Sequence, residues 1–167
     1  MFGGEQEKNK RGGTLNVPAI VGFGKAVEST KRDLKAINKK LKEITNYFEK
    51  KMEYEIPDIK FNGNRKQKAP GIVNISFNNI DNESILIKLD LNDIAVSTGS
   101  ACASGSLTKS HVLKAMGLTQ EEVNSAIRFS FGVDITRDDV DYVVRKLVEI
   151  VGELREISPI KTKKVGA

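Results

Sequence analysis

From Leu15 to Lys51 apolar residues recur at intervals of three and four: Val17, Ile20, Val21, Val27, Leu34, Ile37, Leu41, Ile44 and Phe48. That is the period of one helical face, and it predicts one long helix capped by Thr14 or Asn16. Gly22 and Gly24 lie inside it and predict close packing against another element or a local bend. A second stripe, Val140, Val143, Val144, Leu147, Val151 and Leu154, follows Thr136-Arg137-Asp138-Asp139 and predicts a last long helix ended by Ser158-Pro159. Between them two segments alternate instead. Val73, Ile75 and Phe77 share one face of a strand, and Ile127, Phe129 and Phe131 share one face of another, with Arg128 and Ser130 turned the opposite way. Ile94-Ala95-Val96 predicts a further short strand, and Ile56 to Pro70 a loop holding at most a short edge strand.

Short helices fill the gaps. Asp81-Asn82-Glu83-Ser84 opens one that runs through Leu89, Gly117 closes one that starts near Lys109, and Thr119-Gln120-Glu121-Glu122 has the form of a capping box. The fold class expected is α/β in the broad sense, an α+β domain. It has a small, mainly antiparallel sheet of three or four strands covered on one face by the long helices. Residues 1–14, rich in glycine and charge, are expected to lack a fixed fold in the isolated chain. Residues 15–159 form the domain proper, and residues 160–167 are expected to be a disordered tail.

The chain carries a net charge of +5, which invites a nucleic-acid partner. Residues 25–51 alone hold nine Lys or Arg against four Asp or Glu, so one helix face accounts for the whole excess. A solvated face explains it, and an acidic partner protein is the alternative. Nucleic acid ranks third, because no aromatic platform accompanies the charge. No apolar run approaches the ~18 residues of a membrane span. One cysteine allows no internal disulfide and no multi-cysteine metal site, so no metal is expected and a cytoplasmic setting is the default.

That cysteine, Cys102, lies in Ser97-Thr98-Gly99-Ser100-Ala101-Cys102-Ala103-Ser104-Gly105-Ser106. Small polar neighbours give it nothing to pack against, which suits a nucleophile that must travel; an incidental surface thiol is the alternative. Arg128 offers a guanidinium for a two-pronged grip on a carboxylate, or an ordinary salt bridge at a strand edge. Arg11-Gly12-Gly13-Thr14 could cradle an anion at a helix start, or simply turn and cap. His111, the single histidine, has no partner visible in the sequence and reads as a surface or packing residue. The carboxylates show no paired spacing.

Together these segments resemble the C-terminal part of the cysteine desulfurases, the pyridoxal-phosphate enzymes of the NifS/IscS type. Four stretches carry the resemblance: Gly3 through Asn16 with its Arg-x-Gly-Thr-like turn, Val73 through Phe77, the cysteine loop 97–106 with the following Ser110 through Leu118, and Ile127-Arg128-Phe129-Ser130-Phe131-Gly132. The resemblance implies the small domain of a fold-type I enzyme. In it Cys102 is the catalytic residue that takes sulfur from L-cysteine, becomes a persulfide and leaves L-alanine. Arg128 binds the substrate carboxylate, and Thr14 contacts the cofactor phosphate across a homodimer. An iron–sulfur scaffold or a tRNA-thiolation protein would accept the sulfur. One departure is large. The family holds its cofactor on a lysine within a Ser-x-His-Lys segment far upstream, and no such segment is present; Lys109-Ser110-His111 has the wrong order. Glu5, Lys8 and Asn9 stand where relatives often have Gly, Arg and Gly. The chain alone is therefore expected neither to hold pyridoxal phosphate nor to turn over. A non-enzymatic persulfide carrier or partner-binding module is the competing expectation.

Overall fold

The computed structural model describes residues 3–98 and 110–157. Cys102, most of its loop and the 160–167 tail lie outside the described residues. The chain divides into two compact units, Met1–Ile37 and Asn38–Ala167.

In the first unit α1 (Val17–Glu55) begins. Of the two expected caps it uses Asn16, whose Oδ1 accepts the Ala19 N–H at 3.1 Å. Ahead of it Glu7, Lys8 and Asn9 all have positive φ (54°, 57° and 64°), so the turn they make runs left-handed. Such a run is costly for ordinary L-residues, and asparagine tolerates it best. Position 9 is one of those where the resemblance expects glycine. The expectation that Gly22 and Gly24 pack closely is not met: a Cβ at either would meet open space. The apolar stripe is also uncovered here, with Val17, Ile20, Val21, Val27 and Leu34 exposed.

The second unit is built on three strands. β1 (Ile59–Phe61), β2 (Ile72–Phe77) and β3 (Ala126–Ser130) lie in that order, antiparallel throughout. Alternation sorts the sheet into two faces. On one, Val73, Ile75, Phe77, Ile127 and Phe129 are buried against three helices. These are the end of α1 (Ile44, Phe48, Met52), α2 (Asn82–Asp90; Ile85, Leu89) and α5 (Arg137–Ile157). The α5 stripe is as expected, save that Ile150 joins it and Val143 is only partly buried. Phe48 is the hub: fully buried, it sets its ring 4.9 Å from Phe129 and 5.1 Å from Phe131. Gly71 admits the chain to β2 at φ 84°, where a Cβ would come within 3.2 Å of the Phe131 carbonyl. The N–H of the same Phe131 donates to Gly71 O at 2.8 Å and extends the β2–β3 register.

The opposite face is polar and carries two short helices, α3 (His111–Ala115) and α4 (Gln120–Asn124). Leu113 and Val123 close over Ala126 there in a small second cluster. α4 opens with the capping box read from Thr119 and Glu122, both reciprocal bonds being present. Asn82, buried at the start of α2, donates to the Ala126 carbonyl at 3.1 Å.

The strand expected at Ile94–Val96 is not formed. The chain leaves α2 through a tight turn with Asp93 at φ 59°, and Ile94 N bonds back to Leu89 O. Among the described residues of this segment only Ser97 reaches the ladder, as an isolated bridge to Arg128.

α1 is pinned to α5 by one polar cluster: Tyr47 Oη and Lys51 Nζ both donate to Asp141 Oδ1 at 2.8 Å. The Lys51 ammonium first, and the Tyr47 hydroxyl second, hold the Asp141 carboxyl below its ordinary range. A carboxyl whose pKa is depressed by folding stabilises the fold above its unfolded pKa and loses that contribution as pH falls through the folded value. Asp141→Asn should therefore lose less stability than the parent when urea midpoints are compared at neutral pH and below about pH 4. Equal acid sensitivity in the two proteins would rule the cluster out as a source of it.

Candidate functional site

Main-chain pairing decides where Arg128 points. Its N–H donates to Ser97 O at 2.7 Å and its carbonyl accepts from Ser97 N at 3.2 Å. Both of its backbone groups are thus turned away from β2. Its opposite number on β2, Asn74, is likewise committed outward, its carbonyl accepting from Asn62 N at 2.9 Å. The Asn74–Arg128 pair is then the narrow, non-hydrogen-bonded kind, in which side chains on one face approach most closely. Asn62, Asn74, Arg128 and Ser97 form one row across the polar face.

Three of the row, Asn62, Asn74 and Arg128, floor a cavity of about 270 Å³. Asn74 and Arg128 line it from the sheet, and Leu113 and Met116 from α3 and its end. Thr98 and Ser110 complete the wall, and these two residues flank the segment that carries Cys102. Ser110 also caps α3, accepting the Leu113 N–H at 3.4 Å. His111, the next residue, is exposed and does not line the cavity, in keeping with its reading as a surface residue. A larger cavity of about 410 Å³ lies elsewhere in the unit, but Asp58, Glu121 and Glu122 line it. Three carboxylates repel an anionic substrate, so the smaller cavity is the better candidate for one.

Asn62 ties the row to α4. Its Nδ2 donates to Asn74 Oδ1 at 2.7 Å and to Ser76 Oγ at 2.8 Å, and Ser76 Oγ donates to the Glu122 carbonyl at 2.7 Å. Asn62 and Asn74 were passed over in the sequence. The one signal available was their polarity on the face opposite the apolar alternation.

Thr14 belongs to the first unit and is exposed. The donors expected around it are partly spent locally. Gly13 N donates to Gln6 Oε1 at 3.0 Å, and Arg11 Nη1 turns onto the Gly12 and Gly13 carbonyls at 3.2 and 2.9 Å. Arg11 Nη2 is buried with no hydrogen-bond acceptor.

These residues fit pyridoxal phosphate only at its margins. An exposed hydroxyl at Thr14 suits a phosphate contact, and Arg128 suits the carboxylate of an amino-acid substrate. No amine lines the cavity among the described residues, so nothing there could hold the cofactor's aldehyde. Among the described residues no group of three or more His, Cys, Asp or Glu is placed to hold a metal ion. None of their helices is long and apolar enough to cross a membrane.

Residues 4–143 match the family model described as aminotransferase class-V. A protein named cysteine desulfurase IscS from Dictyoglomus turgidum is 43% identical over 161 residues, which is 96% of this chain and 41% of that protein. A cysteine desulfurase from a Nostoc species is 42% identical over 166 residues, 99% of this chain and 42% of its own length. Among solved structures, a NifS-like protein from Rickettsia africae superposes with a TM-score of 0.77 at 33% identity, over 91% of this chain and 39% of that one. The chain thus spans about two fifths of the length of the relatives it matches.

Proposed function

The chain belongs to the class-V aminotransferase family, and on that premise we propose that it supplies the substrate-carboxylate and sulfur-accepting residues of a cysteine desulfurase. The observation that carries this reading is the placement of Arg128 in a cavity whose wall holds Thr98 and Ser110, the two residues flanking the Cys102 segment. The names of the relatives support it, as does the cavity's mix of one cation with neutral donors.

Arg128 grips the α-carboxylate of L-cysteine and fixes where the substrate's thiol lies. The Cys102 thiolate attacks that sulfur. The Cβ–S bond breaks as the S–S bond forms, Cβ gains a proton, and the products are L-alanine and a Cys102 persulfide. Both thiol protons are accounted for, one on the persulfide and one on the alanine methyl, and no outside oxidant enters. Pyridoxal phosphate, when bound to the complete enzyme, supplies the electron sink this cleavage needs. Thr14 contributes a hydroxyl to its phosphate, and the anchoring lysine comes from outside residues 1–167. The complete enzyme acts as a homodimer in the cytoplasm. It passes its sulfur to an iron–sulfur scaffold or a tRNA-thiolation protein.

Alanine release from L-cysteine tests this. The purified chain with pyridoxal phosphate should release none. Adding a family polypeptide that carries the Ser-x-His-Lys segment should restore release and load a persulfide on Cys102, and Cys102→Ser should abolish both. Alanine formation that survives Cys102→Ser would sink the reading. Persulfide uptake from a donor without any cofactor would mark a carrier instead.

A further inference from the structure

We propose that Asn74 is a second carboxylate-binding residue, presenting its side-chain amide protons beside the Arg128 guanidinium so that the two grip one carboxylate together. This rests on the reading of Arg128 as the carboxylate-binding residue.

A chain of donors and acceptors fixes the Asn74 amide. The Glu122 carbonyl can only accept, and an oxygen 2.7 Å away must bring a proton or be repelled, so Ser76 Oγ donates to it. The single Ser76 proton is then spent. The group 2.8 Å from Ser76 Oγ must therefore be a donor, which makes it the NH₂ of Asn62. The second proton of that NH₂ goes to Asn74 at 2.7 Å, so the Asn74 atom facing β1 is its oxygen. The arrangement is held even though it leaves Asn62 Oδ1 buried without a partner, a real cost.

An amide is planar, with its oxygen and nitrogen on opposite sides of the carbon. With Oδ1 committed toward β1, Nδ2 is directed toward β3, where Arg128 stands directly opposite in the narrow pair. Both side chains line the same cavity. The result is a cation beside a neutral donor, a pair that welcomes an oxyanion. Hydrogen bonds to a charged acceptor are about twice as strong as neutral ones, so the amide gains most when the ligand is a carboxylate. The substrate class this selects is a small amino acid or carboxylic acid, recognised at its carboxylate end.

The test uses the ¹⁵N-labelled chain and follows the Asn74 side-chain NH₂ and the Arg128 Nε–H signals by NMR. L-alanine and propionate are the probes, and ethylamine, which lacks a carboxylate, is the control. Both signals should move along one saturation curve with the two carboxylates and stay still with ethylamine. Asn74→Asp keeps an oxygen toward Asn62 but sets an anion beside Arg128, and should weaken binding about tenfold or more while the backbone spectrum elsewhere is unchanged. If Arg128 responds while the Asn74 NH₂ stays still and Asn74→Asp binds as the parent does, the inference fails and the proposed function stands. If neither signal responds to carboxylates, both fail.

Discussion

Phe48→Ala should destabilise the chain by about 3–5 kcal/mol, the usual cost of emptying a fully buried aromatic site. Phe48 has no exposed surface and joins α1 to β3 through Phe129 and to the chain beyond through Phe131. Its neighbours are held by the sheet register, so they cannot collapse far into the space it leaves. Domains of this size are stable by about 5–15 kcal/mol, so one substitution would remove a large share. With a urea slope of about 1–3 kcal/mol per molar, the unfolding midpoint should fall by at least about 1 M. Tyr54→Ala is the control: at 91% exposed, Tyr54 should matter by no more than about 0.5 kcal/mol. Equal midpoints for the two variants would show that Phe48 is not the hub described.

The second large effect is on binding. Arg128→Met should weaken the affinity for L-alanine by at least about 100-fold, because it removes both prongs of a charge-assisted grip worth roughly 1.5–3 kcal/mol per bond. Arg128→Lys keeps the charge but not the planar fork, and should fall between, at about tenfold. The main-chain bridge to Ser97 does not use the side chain of residue 128 and should survive both changes. Titration of each variant with L-alanine, beside a thermal melt, checks both statements. Parent-like affinity in Arg128→Met would remove Arg128 from the site.

Arg128 was legible in the sequence because two short-range signals agree on it. Its residue type suits a carboxylate, and the alternation of Ile127, Phe129 and Phe131 places it on the other face. The capping box at Thr119 and the Asp81 cap were legible for the same reason: everything that defines them lies within four residues. Asn74 was not, since its importance depends on register. The antiparallel register of β2 on β3, extended by the bonds from Phe131 N to Gly71 O and from Phe77 N to Ser125 O, brings residue 74 opposite residue 128, and it joins positions about 50 residues or more apart in the chain. Ile94–Val96 misled because two β-prone residues, Ile94 and Val96, are too few to outweigh the turn at Asp93. The stripe from Val17 to Leu34 misled differently. Periodicity reports that a helix is two-faced, and is silent on whether anything covers its apolar side. Cys102, the residue on which the proposed chemistry turns, lies outside the described residues.

The way β3 ends the sheet has a consequence for solubility. A strand with an open outer edge is a template on which other molecules of the same chain can stack into aggregates. Here no fourth strand closes that edge among the described residues; single residues blunt it. Asn82 occupies the Ala126 carbonyl from α2, and Ser97 takes both backbone groups of Arg128. At the far side β1 is only three residues long, too short to recruit a partner firmly. The bridge that aims Arg128 into its cavity is thus also a guard against self-association, and a substitution that loosened Ser97 would be felt first as turbidity in a concentrated sample.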